Sequence, residues 1–283
     1  MNSDAMTGPE VGPADARGRG GGSAEAASPA APSLRQLTPP ASLLLVAAAG
    51  AWTGVVLLAR GMGSMPGTMG LGAGSFGAIW ALMMAAMMLP SAAPFASLYS
   101  RSFTDGRGSR LAAFASGYLI VWTLAALPAY GLAWLAGRLA GGHPAAATAA
   151  AVAIFAACGA YQLTPLKDRC LARCRSQLGF MLKLGAYRGP TRDLRAGLYH
   201  GTFCLACCWA LMAVLVAVGL MNVIAMVVLG GAVLTEKVWA RGTRFSRALG
   251  IAALALAIAV IFEPGLAPGL HHAAGTGGMG GMR

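Results

Sequence analysis

Charge is what this sequence has least of. Asp, Glu, Lys and Arg make up 11% of its 283 residues, against about 25% in ordinary soluble domains. Hydrophobic residues reach 57% and gather into charge-free windows of roughly 18 residues or more, long enough to cross about 30 Å of hydrocarbon. A normally solvated globule is therefore excluded. Acidic residues are scarcer still, nine against twenty-one basic ones. Despite the formal charge of +12, no basic stripe is interleaved with exposed aromatics, which argues against nucleic-acid binding. Walker A and aspartyl-phosphate sequences are absent, so the chain by itself is not expected to drive transport with ATP. No chain of intramembrane carboxylates suggests a proton relay, and nothing points to catalytic machinery.

What is present is an all-α, polytopic transmembrane pattern. Apolar runs predict spans at about 41–59, 76–98, 111–137, 145–163, 197–218, 222–235 and 247–264. Pro128 is expected to kink the third, and Pro90 and Pro94 the second. Gly219-Leu220-Met221-Asn222 reads as a tight turn between the fifth and sixth spans, with a re-entrant segment across 197–235 as the alternative. Residues 1–40, rich in Pro, Gly, Ala and Ser, read as a disordered cytoplasmic tail rather than a signal peptide. Residues 41–264 form the transmembrane domain, and 265–283 an extracytoplasmic Gly/His/Met tail.

The basic residues orient this map. With seven spans and the N-terminus inside, eighteen Lys and Arg fall on the cytoplasmic side, and only Arg60, Arg138 and Arg283 fall outside. That asymmetry places a multi-pass protein in a bacterial plasma (inner) membrane, its C-terminus outside, its basic loops meeting the bilayer.

The topology then sorts the sulfur. On the fifth span His200, Cys204, Cys208 and Met212 recur every four residues. They form a slowly drifting row on one helical face, with Cys207 beside Cys204. The preceding basic loop adds Cys170 and Cys174. Imidazole, thiolate and thioether suit soft or borderline metals, Cu(I) first and Zn(II) second. Inert packing explains a lone cysteine such as Cys158. It explains three cysteines and a histidine on one face less well. A disulfide between Cys207 and Cys208 is disfavoured, because neighbours on a helix point about a hundred degrees apart.

Softer signals surround this row. Met83, Met84, Met87 and Met88 on the second span offer a secondary set of thioether ligands, as does Met212, although methionine is also a favoured filler of helical gaps. Met62, Met65 and Met69 fall in an external Gly-rich loop, and His271, His272, Met279 and Met282 in the external tail. Glu236 and Lys237 end the sixth span, where Glu236 is placed to support the cysteines or to pair with a loop arginine.

At these residues the chain resembles a bacterial family of predicted metal-binding integral membrane proteins, the domain of unknown function numbered 2182. The resemblance covers about residues 76–242. It rests on Met83-Met84-Ala-Ala-Met87-Met88-Leu89-Pro90, on Tyr161-Gln162-Leu-Thr164-Pro165-Leu166-Lys167 leading to Cys170 and Cys174, and on His200-Gly201 with Cys204, Cys207, Cys208 and Trp209. Met221-Asn222 and Glu236-Lys237 continue it. Gln177, Ala206 and Ala240 depart from the family pattern without removing a candidate ligand. The resemblance implies metal binding. The expected function is a carrier or membrane metallochaperone for a soft metal, exchanging it with a donor or acceptor protein. The alternatives are a thiol–disulfide electron carrier using Cys170/Cys174 and Cys204/Cys207, or a structural metal site in an assembly subunit.

Overall fold

The computed structural model describes residues 39–61, 67–103, 105–176, 179 and 189–270. The readings made for residues 1–38, for Met62 and Met65, and for His271, His272, Met279 and Met282 lie outside the described residues. Among those described, every regular element is helical: α1 (Pro39–Gly61), α2 (Ala73–Ser100), α3 (Arg107–Leu124), α4 (Ala126–Gly142), α5 (Pro144–Gln162), α6 (Pro165–Arg175), α7 (Arg192–Val218), α8 (Val223–Val238) and α9 (Gly242–Phe262), then a 3₁₀ turn at Pro264–Leu266.

Six stretches are long and apolar enough to cross a membrane: Ser42–Gly61, Ala73–Ser100, Arg107–Leu139, Pro144–Gln162, Arg192–Val218 and Gly242–Phe262. The third combines α3 and α4. Its break at Leu124–Ala126 has a simple cause. Pro128 lacks the N–H that would bond the Leu124 carbonyl, so the ladder parts there. The second, α2, contains Pro90 and Pro94 and stays helical to Ser100.

The short span expected over 222–235 is a helix here, but it is not among the stretches long enough to cross a membrane. Helix α8 has 16 residues, about 24 Å at 1.5 Å per residue, short of the hydrocarbon thickness. Both of its ends are set by polar groups. Asn222 accepts from the Ala225 N–H at 3.0 Å as an N-cap, after a turn in which Gly219 takes φ of 105°, a conformation that favours glycine. At the other end Glu236 and Lys237 are drawn inside the bundle. Residues 197–235 are thus two helices joined by a turn, of which the first alone is long enough to span.

Helices α2 and α7 form the centre. In each, 61% of the most apolar window is buried, against 22–28% in the other four long stretches. The flanking helices turn Val46, Leu127, Ile224, Ile251 and Phe262 outward, the pattern of helices that are apolar on all sides.

Two glycines decide how closely α3 approaches α7. A Cβ at Gly197 would stand 1.9 Å from the Phe114 carbonyl oxygen, and one at Gly117 would stand 2.2 Å from that of Leu194. The backbones touch, and no larger residue fits. Gly50 and Gly54 make no comparable crossing: nothing lies within 4 Å of a Cβ at Gly50, and one at Gly54 would meet only the Leu82 side chain.

The basic loop between α5 and α7 holds a helix that hydropathy alone does not reveal. Thr164 caps α6, its side chain accepting from the Lys167 N–H at 3.2 Å, Pro165 takes the first helical position, Asp168 sits in the first turn, and Arg173 and Arg175 sit in the last. Each choice suits the helix end it occupies. Lys167, Leu171 and Cys174 are its buried residues. Their spacing of four and three is one helical face, and that face closes one end of the bundle.

Candidate metal centre

Five helices converge at the α6 end on the sulfur of Cys204. Helix α7 supplies it, and the α3–α7 contact brings the Tyr118 hydroxyl to 2.9 Å from the sulfur. From the last turn of α8 the Lys237 Nζ reaches the same sulfur at 2.8 Å and donates to Ser91 Oγ of α2, also at 2.8 Å. Cys174 arrives from α6, buried, at the same small cavity as His200, Lys237 and Ser91. The neighbouring sulfurs of Cys204 and Cys207, and then its burial, hold its thiol well above the ordinary thiol range.

Cys207 and Cys208 sit on the same turn. Their Sγ atoms donate to the Cys204 carbonyl at 3.2 and 2.7 Å, the usual resting contact of a short polar side chain on a helix. His200 lies one turn from Cys204, its ring stacked on Phe95 at 4.1 Å between centroids and flanked by Tyr118 at 5.7 Å. His200, Cys174, Lys237, Ser91, Phe95 and Arg175 border a cavity of about 20 Å³, room for one water-sized species.

A second polar contact locks this end together. The Lys167 ammonium, fully buried, meets Glu236 Oε2 at 2.7 Å, and Gln162 donates to Glu236 Oε1 at 2.8 Å. Burial works to lower the Lys167 pKa; Glu236 beside it, together with Cys207 and Cys208, outweighs this and holds it above the ordinary lysine value. The Lys167 Nζ also donates to the Cys207 carbonyl. Of the two roles open to Glu236, it pairs with a loop residue, which is a lysine and not an arginine, and it reaches the cysteine turn through that lysine's bond to the Cys207 carbonyl.

The expected ligands divide cleanly. Cys174, Cys204, Cys207, Cys208 and His200 are gathered and buried. Cys170 is not: it is partly buried and sits against Tyr161, away from the row, because only the 167/171/174 face of α6 turns inward. Met83, Met84, Met87 and Met88 are buried at the centre of α2. The Met88 carbonyl accepts from Tyr118 and Ser91, which ties the methionine run to the cluster through its backbone. Met87 packs on Gly230 of α8. Met212 is buried beyond Cys208 and borders a separate apolar cavity of about 170 Å³ with Trp80, Trp122 and Trp209. Met69 is also buried.

Among the described residues no three His, Cys, Asp or Glu side chains stand at the spacing of a ready-made metal cage. The donor set is nevertheless soft and dry. A thiophilic ion that accepts two or three sulfurs fits its chemistry better than an ion that demands a tetrahedral or oxygen-rich shell.

Sequence reasoning passed over Tyr118 and Ser91, took Gln162 and Lys167 only as part of a motif, and did not single out Lys237 as a partner of sulfur. The lysines had a signal: they are charges beside long apolar runs, and such charges seldom enter a bundle without a task. Tyr118 had none, since only the glycine-permitted crossing of α3 and α7 brings it in.

Comparison with known proteins adds one match. The family model PpoB2, described as copper chaperone, matches residues 77–260, a stretch that contains every residue of this centre. The chain belongs to that family. No curated protein and no solved structure matches it.

Proposed function

We propose, with membership of a copper chaperone family as the premise, that this chain is a multi-pass bacterial inner-membrane protein that holds Cu(I) as cargo. Cys204, with Cys174 and Cys207, supplies the sulfur, and Cys208 and His200 stand in reserve one turn or less away. The observation that carries the reading is the burial of Cys174 of α6 together with Cys204 and Cys207 of α7 at one dry helical end, where Cys174 shares a small cavity with His200 and Lys237. Thiols from separate segments, buried together and not bonded to one another, are costly to assemble for packing alone.

Each part of the chain then has work to do. The six apolar stretches cross the bilayer, and the shorter α8 runs back from the Gly219–Asn222 turn to the α6 end. The N-terminus and the basic α6 segment lie on the cytoplasmic side, following the distribution of Lys and Arg. Methionines of α2, Met83, Met84, Met87 and Met88, offer thioethers along the path from the opposite face, and Met212 extends them on α7. The thiols give up their protons as copper binds, so uptake of copper releases acid. Helix α6 is short and amphipathic, and its buried Lys167–Glu236 pair must open before it moves. Lifting it carries Cys174 out of the cluster and, with Cys170 on the same helix, presents copper to an acceptor protein.

Elemental analysis of the purified full-length protein tests this. Wild type is expected to hold stoichiometric copper after Cu(I) loading. The Cys204→Ser/Cys207→Ser/Cys208→Ser variant should lose it, and Cys174→Ser should lose part of it. Equal copper in wild type and the triple variant would remove the site.

A further inference from the structure

We propose that Lys237 is the counter-charge of this centre and makes it selective for a monovalent thiophilic cation over a divalent one. The proposal rests on the copper reading of the same cluster.

Lys237 is buried at 5% exposure, yet none of the three ion pairs among the described residues includes it. The neighbouring carboxylate, Glu236, projects about a hundred degrees around the helix and is taken by Lys167. The Lys237 ammonium instead meets a serine hydroxyl and the Cys204 sulfur. A buried ammonium needs a negative partner, and one held by a hydroxyl alone is strongly disfavoured. The negative group on offer is the thiolate of Cys204. Placement at the C-terminal end of α8 adds a smaller favourable contribution from the helix dipole. Arg175 also borders the cavity, but it donates to the Trp239 carbonyl at an exposed site, where solvent screens its charge.

The charges of the loaded centre decide the selectivity. One ammonium, two thiolates (Cys204 with Cys174 or Cys207, the third cysteine staying a neutral thiol) and one monovalent cation cancel. The same groups around a divalent cation leave one positive charge in a dry, low-permittivity site. The Lys167–Glu236 pair is already neutral and corrects neither case. Lys237 thus tolerates Cu(I) or Ag(I) and opposes a divalent ion of equal softness.

Ag(I) and Cd(II) have the same filled-shell electron count and both seek sulfur, so charge is the main variable between them. Full-length protein in detergent is offered both ions in competition, and each is counted after desalting. Wild type is expected to retain silver. Lys237→Met, which keeps an apolar stem, should shift the silver-to-cadmium ratio toward cadmium by about tenfold or more, as befits a charge a few ångströms away. Lys237→Arg should restore the ratio. Ser91→Ala removes the other hydrogen-bond partner of Lys237 but no charge, and should leave the ratio unchanged. A merely structural lysine predicts the opposite pairing, with Ser91→Ala resembling Lys237→Met. Silver binding with the same ratio in wild type and Lys237→Met overturns the proposal. So does wild type that takes cadmium as readily as silver, a result that needs no variant to fold. Wild type that retains neither silver nor copper overturns the copper reading itself.

Discussion

The two halves of α7 share one helix and nearly one composition, yet they are packed by different rules. From His200 to Cys208 the helix is surrounded by specific polar contacts: a tyrosine, two lysines, a glutamate and a cysteine from another helix, around a cavity of about 20 Å³. From Trp209 to Val216 it borders an apolar space of about 170 Å³ lined by tryptophans, alanines and a proline. Hydrophobic packing tolerates such slack, because dispersion contacts are many and individually weak. Buried polar groups do not, because each unpaired atom carries its full desolvation cost. The end bearing chemistry is therefore the end that is held tightly.

This contrast can be broken most severely at the helix crossing. Gly197→Leu drives a side chain into the Phe114 carbonyl, and no folded monomer is expected by size-exclusion chromatography. Next comes Glu236→Gln, which leaves Lys167 buried without a counter-charge. We expect a loss of about 3–5 kcal/mol in reversible unfolding, much of it recovered when Lys167→Met is added. At the other end of α7, Ala213→Leu fills part of the larger cavity. It should change stability by no more than about 1 kcal/mol, in the favourable direction if the new methyls find their rotamers. An effect as large as that of Glu236→Gln would erase the distinction between the two halves. The smallest change sharpens its cause. Arg247 meets Asp168 at 3.0 Å at the same end as the cysteines, but in the open. Arg247→Ala should cost less than about 1 kcal/mol and leave metal content untouched, which would assign the sensitivity to burial rather than to location.

Much of this arrangement was legible in the chain. The row of His200, Cys204 and Cys208, with Cys207 beside it, follows from helical periodicity, and the structure buries all four. The turn at Gly219–Asn222 was readable from its residue types, and the break near Pro128 from the missing N–H. Other features were not legible, each for a physical reason. Helix α6 is too short and charged to stand out by hydropathy; its capping residues and the 167/171/174 spacing become meaningful once a surface exists for that face to cover. Cys170 and Cys174 look equivalent as a pair, and the inward face of α6 separates them. Helix α8 reads as a span from its apolar residues, but its C-terminal Glu and Lys face inward instead of marking the edge of the lipid.

Composition and periodicity alone determined that this chain is a bundle of apolar helices with a line of soft ligands on one of them. Burial of apolar surface and the angular repeat of a helix are local properties and need no knowledge of neighbours. The tertiary structure decided what surrounds that line: a tyrosine admitted by two glycines, a cysteine delivered by a short charged helix, and an ammonium set against sulfur. Those contacts join residues far apart in the chain. They arise from which helices touch and how closely, and no single segment carries that information.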